Sequence, residues 1–348
     1  MTTHTYPNNE RPINFFRDRY MLCHQCGHIF TANLEILEAL EQVEESCPAC
    51  GITCKDEESP RVTADPYAPI LDPENVNRFT WYHTSTIPDW PQAKFDPTFD
   101  KPVWFIENLR NTLGGESFNQ FIEDAKSVAL HVGTYESAIH NMLRRIDEQD
   151  SFGKPFYLYR VTLRDDAVTA EKCDAEFNGI FGDVKLSDAC PEGIDTARYV
   201  NSREDPGSIS LALRRSAIAA IQRIEVPLPK INCTVWQESA IVAIQSATYK
   251  EPVREPGNPF WDLIHARDPK TPEDKMRSAK VDEARKIGTK LSTHVPCNMR
   301  RHFISALRLE GRTANEWALY AAGILELIGN SENVLSVLDD QQLRPVLP

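Results

Sequence analysis

Two pairs of closely spaced cysteines near the N-terminus constrain this chain most. Cys23 and Cys26 enclose two residues, Cys47 and Cys50 enclose two more, and 20 residues separate the pairs. A two-residue gap lets one tight turn aim both thiolates at the same ion, and two such turns complete a tetrahedral zinc site. Because four thiolates leave no open coordination position, we expect a structural rather than a catalytic zinc ion. The sequence therefore predicts a zinc ribbon with these four ligands.

The zinc ribbon is not expected to bind nucleic acid. Its central segment, 32–43, repeats apolar residues at helical spacing, which predicts a short helix between the cysteine pairs. Residues 1–60 hold four basic and ten acidic side chains, and phosphate binding needs the opposite balance. A folding or protein-contact role is favoured instead. Cys54 and His28 are spare candidate ligands, which we interpret as an unligated thiol and a surface ring.

The composition is that of a soluble globular protein. Its 348 residues include 51 acidic and 38 basic side chains, and 41% are hydrophobic, which excludes wholesale disorder. There is no run of about 18 apolar residues, so we expect no membrane span. The nine cysteines are odd in number and no export signal precedes them, which favours a reducing compartment. We therefore expect a cytoplasmic protein.

Two proline clusters suggest where the domains meet. Eight of the 24 prolines lie between 55 and 102, and five more lie between 252 and 272. Proline fixes φ and removes a hydrogen-bond donor, so both stretches are expected to be loops or linkers. The predicted organisation is a zinc-ribbon module at 1–58, a linker at 59–74, a mixed domain at 75–250 and a helical region at 251–348.

The mixed domain is expected to be α+β. Short strands with few helices indicate a mainly antiparallel sheet. Aromatic and β-branched runs predict strands at 78–84, 128–132, 156–163, 197–201 and 209–213, and apolar periodicity predicts helices at 116–127 and 135–146, while the period of 218–226 is ambiguous.

The helical region contains the only strongly basic stretch. Segment 271–315 carries ten basic and five acidic residues, against the acidic balance of the whole chain. It is either a solvated helix face or a patch for an anionic partner such as nucleic acid, and both interpretations stay open. Thr313 and Glu316 form a capping box that predicts the start of a long helix.

Three short segments of the mixed domain carry groups suited to chemistry. The first is Tyr82-His83-Thr84-Ser85-Thr86, and the second is Leu130-His131-Val132-Gly133-Thr134-Tyr135-Glu136. The third, 198–210, contains Asn201, Glu204 and Ser210 between two predicted strands. In this order, over roughly residues 75–230, they resemble the ADP-ribosyltransferase superfamily. The chain has no GxGxxG or GxxxxGK motif, which argues against a Rossmann or P-loop nucleotide site.

The resemblance implies a split antiparallel sheet around a cleft that binds NAD as a substrate. It implies Glu204 as the catalytic carboxylate, which would stabilise the positive ribose and orient the incoming nucleophile. His83 and Thr84 would contact the adenosine-side ribose and the amide edge, and Tyr135 would stack on nicotinamide. The implied catalytic residues are Glu204, His83 and Tyr135, and the implied NAD-binding residues are His83, Thr84, His131, Gly133, Thr134, Tyr135, Asn201 and Ser210.

One assignment within this resemblance has an alternative. Leu130 to Thr134 is similar to a His-Gly-Thr motif of other family members, although Val132 interrupts the His-Gly step. In that interpretation His131 replaces His83 as the ribose-binding histidine and Tyr159 supplies the aromatic ring. We interpret Trp81, Tyr82 and Tyr199 as core residues.

The sequence thus favours an NAD-dependent ADP-ribosyltransferase with an unidentified acceptor, which is a protein, a nucleic acid or a small molecule. By analogy, such an architecture suits a toxin or an effector. One alternative is a non-catalytic zinc-ribbon adaptor. Another is a nucleic-acid-binding protein that uses segment 271–315.

Overall fold

The computed structural model describes nine ranges of the chain. These are 10–41, 45–53, 58–93, 97–98, 103–149, 151–175, 184–228, 234–249 and 271–347. Cys54 and the predicted domain boundary at 250/251 lie outside them. The chain forms two compact units, of which the first comprises Met1–Met142, Pro155–Glu225 and Leu335–Pro348, and the second comprises Leu143–Lys154 and Val226–Val334.

The strands of the described residues belong to the first unit. They are β1 (Arg19–Cys23), β2 (Ile29–Ala32), β3 (Pro60–Thr63), β4 (Trp81–Ser85), β5 (Leu130–Val132), β6 (Phe156–Leu163), β7 (Thr169–Ala175), β8 (Thr196–Val200), β9 (Ile209–Leu213), β10 (Ile218–Val226, whose last residue falls in the second unit) and β11 (Arg344–Pro345). The predicted strands at 156–163 and 209–213 are confirmed, and the ambiguous segment 218–226 is a strand.

These strands form three sheets. The N-terminal sheet has the order β2-β1-β3, and its two pairings are antiparallel. The other two sheets have the orders β11-β10-β6-β4 and β5-β9-β8-β7. Strand β7 pairs parallel to β8, while β5, β9 and β8 are antiparallel neighbours.

In the described part of the chain, one backbone bridge joins the two four-stranded sheets. The N–H of Tyr82 donates to Gly133 O at 2.9 Å, and the N–H of Gly133 donates to Tyr82 O at 2.9 Å. Strand β4 is the edge strand of the sheet β11-β10-β6-β4, and β5 is the edge strand of the sheet β5-β9-β8-β7. The two edge strands therefore meet at this bridge and separate beyond it. The opening next to the bridge contains the cleft described below.

The described α-helices range in length from 4 to 20 residues. They are α1 (Leu34–Glu41), α2 (Val103–Leu113), α3 (Gly115–Lys126), α4 (Tyr135–Glu148), α5 (Leu186–Ala189), α6 (Val235–Ser246), α7 (Pro272–Leu291), α8 (Arg300–Ala306), α9 (Ala314–Gly329) and α10 (Ser331–Asp339). Helix α1 lies between the two cysteine pairs, and α4 confirms the predicted helix at 135–146. The chain is therefore mixed α+β with antiparallel sheets and helices.

The first unit is built on a core of buried strand residues. Trp81 of β4, Val161 of β6 and Leu211 of β9 are fully buried in one cluster. Each such side chain contributes roughly 1.5–3 kcal/mol by leaving water. Because alternate residues of these strands face the core, the residues between them are free to face the cleft or the covering helix.

The second unit is helical in the described residues. Helix α9 begins at the predicted capping box, where Thr313 accepts from the N–H of Glu316 and the Glu316 carboxylate accepts from the N–H of Thr313. Its Trp317 is fully buried and donates to Leu307 O. The helical C-terminal prediction did not include β11, which pairs with Ala220 and Ile221 of β10 in the first unit. No described helix is both long and apolar enough to cross a membrane.

Candidate functional site

The four cysteines predicted as metal ligands lie together. Their sulfur atoms are all within 4.8 Å of one another, and no disulfide joins them. The Sγ atoms of Cys23 and Cys50 are 3.7 Å apart, and those of Cys26 and Cys47 are 3.8 Å apart. Tetrahedral zinc with bonds of about 2.3 Å separates its sulfurs by about 3.8 Å. The cluster could therefore hold a metal ion such as zinc.

The backbone around the cysteines is shaped for this purpose. The N–H of Gly27 donates to Cys23 O at 2.8 Å and that of Gly51 donates to Cys47 O at 2.9 Å, and both glycines have positive φ. Burial raises the pKa of the Cys47 thiol, but neighbouring N–H groups and thiols outweigh this and lower it to about 7. At Cys26 and Cys50, backbone N–H groups act to lower the pKa, but burial and the neighbouring thiols outweigh them and raise it.

A polar cleft lies where the two four-stranded sheets separate. Its cavity volume is about 90 Å³, well below the roughly 300–1,000 Å³ of pockets that enclose a drug-sized ligand, so the cleft can enclose only part of such a molecule. All three segments singled out in the sequence reach it. It is lined by Tyr82, His83, Thr84, His131, Val132, Gly133, Ser137, Ala138, Asn141, Tyr199, Asn201, Glu204 and Ser210. The structure thus brings together seven of the nine residues predicted for the NAD site.

Gly133 is required by the narrow space at the sheet junction. A Cβ atom added there would lie 2.8 Å from Ser210 Oγ and closer still to Ser137 Oγ. These two hydroxyls come from β9 and from the first turn of α4. Because Gly133 has no side chain, β9 and α4 can both approach its backbone closely at the edge of the cleft.

The turn after β8 holds Glu204 at the cleft wall. Asn201 Oδ1 accepts from the N–H of Arg203 at 3.0 Å and from the N–H of Glu204 at 2.9 Å. Its Nδ2 donates to Ser210 Oγ at 3.1 Å. On the opposite side, Asn141 Nδ2 donates to Glu204 Oε1 at 3.2 Å. The carboxylate is only 8% exposed, so it is held in place while it borders the cleft.

His131 borders the cleft, and its buried ring has one unpaired nitrogen among the described residues. Its Nδ1 lies 3.1 Å from Tyr199 Oη, and among the described residues its buried Nε2 has no hydrogen-bond partner. Burial lowers the pKa of His131 to about 4, although the charge of Glu204 acts to raise it. The imidazole is therefore neutral near pH 7. When Tyr199 donates to Nδ1, the proton of the ring lies on Nε2, which becomes a donor.

His83 and Thr84 also line the cleft, on β4. The His83 ring stacks on Trp90 with ring centres 4.2 Å apart. Thr84 Oγ1 donates to Ala138 O of α4 at 2.8 Å. Successive residues of a strand face opposite sides, so these two side chains leave β4 in different directions.

Two predicted NAD-site residues do not line the cleft. The Tyr135 ring is 2% exposed and packs edge-on against Phe15 and Tyr82 in the core. Thr134 Oγ1 donates to Asp205 Oδ2 at 2.8 Å and accepts from the N–H of Ser137 at 3.0 Å. Tyr159, the aromatic residue of the alternative assignment, donates to Ile87 O at 2.6 Å and does not line it either.

The sequence interpretation missed several lining residues. Ser137 and Asn141 lie one turn apart on α4, just after the Gly133-Thr134 motif, and that spacing was a usable signal. Tyr82 and Tyr199, interpreted as core residues, are mostly buried but border the cleft with part of their surface. A tyrosine can serve both purposes because its ring is apolar and its hydroxyl is polar.

A second group of potential ligands lies in the second unit. Asp147, Glu148 and His302 are close enough to share an ion. However, Arg301 forms ion pairs with Glu148 at 2.9 Å and with Asp147 at 3.4 Å, and His302 Nδ1 lies 3.1 Å from Asp147 Oδ2. The carboxylates are therefore already paired with side chains of α8.

Compared with known proteins, the chain matches no protein-family model, no curated protein and no solved structure. A fold alone does not define an activity, and function resides in the geometry and chemistry of a site. The residues that border the cleft and the cysteine cluster are therefore the basis for inferring what this protein does.

Proposed function

We propose that the cleft binds NAD and that the protein transfers its ADP-ribose to an acceptor, with Glu204 as the catalytic carboxylate. The observation that supports the proposal is that candidate groups from distant parts of the chain border the same cleft. His83, His131 and Glu204 come from three separate segments of the sequence and border one cleft. A non-catalytic adaptor would have no need to gather these groups.

The chemistry fits a carboxylate in this position. In the proposed reaction, the bond between ribose C1′ and the nicotinamide nitrogen breaks, and its electron pair stays with nicotinamide, which leaves neutral. The ribose becomes oxocarbenium-like, and a nearby carboxylate offsets its positive charge. The acceptor then forms a new bond to C1′ and loses a proton. Glu204 is suited to this role because Asn141 and the turn from Asn201 fix its position before substrate binds.

A neutral histidine is suited to bind a ribose hydroxyl. His131 borders the cleft, and its Nε2 is buried and unpaired among the described residues, so a ligand oxygen that reaches this nitrogen would satisfy it. We therefore favour His131 over His83 as the donor to the ribose. His83 and Thr84 remain proposed contacts to the rest of the ligand, while Tyr135 and Thr134 are proposed to support the cleft from behind.

We further propose that the four cysteines hold one structural zinc ion. The separations between their sulfurs match a tetrahedral site, and four thiolates leave no position for a substrate. When bound, the ion would cross-link the two cysteine-bearing turns of the N-terminal segment and so contribute to its folding. It would take no part in the reaction.

Release of nicotinamide from NAD by the full-length protein tests the proposed activity. The wild type is expected to release it, with water or an added protein, nucleic acid or small molecule as acceptor. Glu204→Gln should lower kcat by about 100-fold or more, because it removes the charge but keeps the shape. Glu225→Gln is the matched control, since Glu225 is exposed at the end of β10. Equal rates for Glu204→Gln and the wild type would remove Glu204 from the mechanism, and no release with any acceptor would contradict the enzyme proposal.

A further inference from the structure

We propose that Asp205 is a positioning residue through which the N-terminal metal-binding segment holds Glu204 in the cleft. This inference rests on the proposed function of Glu204. Asp205 follows Glu204 directly, is 3% exposed and is the one non-glycine residue with positive φ (57°) among the described residues. Such a backbone conformation is costly for most side chains and persists where the surroundings enforce it.

Three side chains from two other parts of the chain bind the Asp205 carboxylate. We call Arg17, Arg19 and Thr134 together the Asp205 clamp. Arg17 Nη2 lies 2.8 Å and Arg19 Nη2 lies 3.0 Å from Oδ1. Thr134 Oγ1 donates to Oδ2 at 2.8 Å, next to the first turn of α4. The Asp205 side chain is 1% exposed and that of Arg19 is 2% exposed. Removing one partner of an ion pair as buried as this one is costly, because the other partner is then left as an unpaired buried charge.

The loop touches the N-terminal sheet at a second point. Gly207 has a φ of 80°, and a Cβ atom added there would lie 2.9 Å from Thr63 O of β3. Strand β3 pairs with β1 from Tyr20 and Thr63 to Cys23 and Pro60. Within the loop, the N–H of Gly207 donates to Asn201 O at 2.8 Å. The turn that carries Glu204 is therefore pressed against the backbone of the N-terminal sheet.

One of the cysteines and one of the arginines that bind Asp205 belong to the same strand. Arg19 is the first residue of β1 and Cys23 is its last. One end of this strand holds Asp205, and the other end supplies a thiol to the four-cysteine cluster. Anything that disorders β1 should therefore release the loop 201–207. Through β1 and Asp205, the metal-binding segment therefore supports the loop that carries Glu204 and is not a separate module.

Two arginines and a second buried carboxyl group lie around Asp205. Burial lowers the pKa of Arg19 to about 10, and the charge of Asp205 acts to raise it, so Arg19 stays protonated near pH 7. Glu136 of α4 is a second buried carboxyl group, which accepts from the N–H of Asn14 at 2.7 Å. Burial, and next the charge of Asp205, raise the pKa of Glu136. Removing either arginine would leave two buried carboxyl groups with less compensating charge.

Amide hydrogen exchange in peptides that cover 201–207 tests the proposal without relying on activity. We expect Arg17→Gln and Asp205→Asn to lower protection of this loop by about tenfold or more. Arg17 is the milder change because its side chain is 32% exposed, and asparagine tolerates the positive φ of Asp205. Arg61→Gln, an exposed arginine of β3, is the matched control and should leave the loop unchanged. Unchanged protection in both Arg17→Gln and Asp205→Asn would overturn the proposal.

Kinetics and chelation separate positioning from mere stability. With NAD as substrate, Arg17→Gln should lower kcat more than tenfold while KM changes less, because Glu204 is displaced while most ligand contacts remain. Treating the full chain with a zinc chelator should expose the same loop to exchange, and readdition of zinc should restore its protection. Unchanged hydrogen exchange in loop 201–207 after chelation would contradict the proposed connection through β1. If the clamp controls loop protection but no variant or wild type consumes NAD, the proposed activity fails and the clamp stands.

Discussion

Asn141 Nδ2 donates a hydrogen bond to Glu204 Oε1 at 3.2 Å across the cleft. The two residues are 63 positions apart in the sequence, one on α4 and the other in the turn after β8. The pair makes α4 part of the candidate active site.

Replacing Asn141 with alanine should weaken catalysis more than folding. The change removes one hydrogen bond to a charged group, which is worth about 1.5–3 kcal/mol. We expect kcat for NAD cleavage to fall by about tenfold to a hundredfold, with the melting temperature shifted by only a few degrees. Asn119→Ala, at an exposed position of α3, is the control and should leave both values unchanged. A normal rate in Asn141→Ala would show that Glu204 does not depend on this bond.

Replacing Gly133 with alanine should close part of the cleft. The added methyl group would collide with Ser137 Oγ and Ser210 Oγ, and such overpacking costs about 1–3 kcal/mol. Thermal unfolding should show this loss, and calorimetric titration should show weaker NAD binding. Gly115→Ala is the control because nothing lies within 4 Å of its added Cβ. Equal stability and NAD affinity in Gly133→Ala and the wild type would mean that the sheet junction can accommodate a methyl group at this position.

His131 should make the protein sensitive to acid. Its pKa is about 4 in the folded chain against 6.5 for the free side chain, because burial disfavours the charged ring. Between these two values the unfolded chain binds more protons than the folded chain. The free energy of unfolding should therefore fall as the pH drops from 6.5 to 4, by up to about 3 kcal/mol from this residue.

Urea unfolding at several pH values measures this effect. His131→Gln should flatten the loss of stability in that pH window, since glutamine does not titrate. His294→Gln, at an exposed position, should retain the slope of the wild type. Identical slopes for His131→Gln and the wild type would show that His131 is solvated in the folded protein.

Removing one thiol should remove the metal. The purified wild type is expected to contain one zinc ion per chain, as measured by elemental analysis. Cys26→Ser should lose the ion and lower the melting temperature, because metal binding contributes to folding. Cys173→Ser should keep the ion, since this half-buried cysteine of β7 is not part of the cluster. Retention of zinc by Cys26→Ser would contradict the four-thiolate site.

The sequence by itself determined the local features. The cysteine spacing identified Cys23, Cys26, Cys47 and Cys50 as one cluster, because tight turns fix where closely spaced side chains lie. Apolar periodicity and capping determined α4 and α9, since these signals act within a few residues. The resemblance also selected Glu204 and His131, which both border the cleft.

Only the tertiary structure decided which of the selected residues meet. It places the Tyr135 ring in the core and Asn141 at the cleft, although both belong to α4. It also joins Arg19 to Asp205 across 186 positions. Such contacts depend on how strands pair and on which face of a helix is covered, and neither is encoded in local spacing. The ligands of the cysteine cluster are close in the chain, whereas the cleft is assembled from distant segments, and this difference decided what could be predicted.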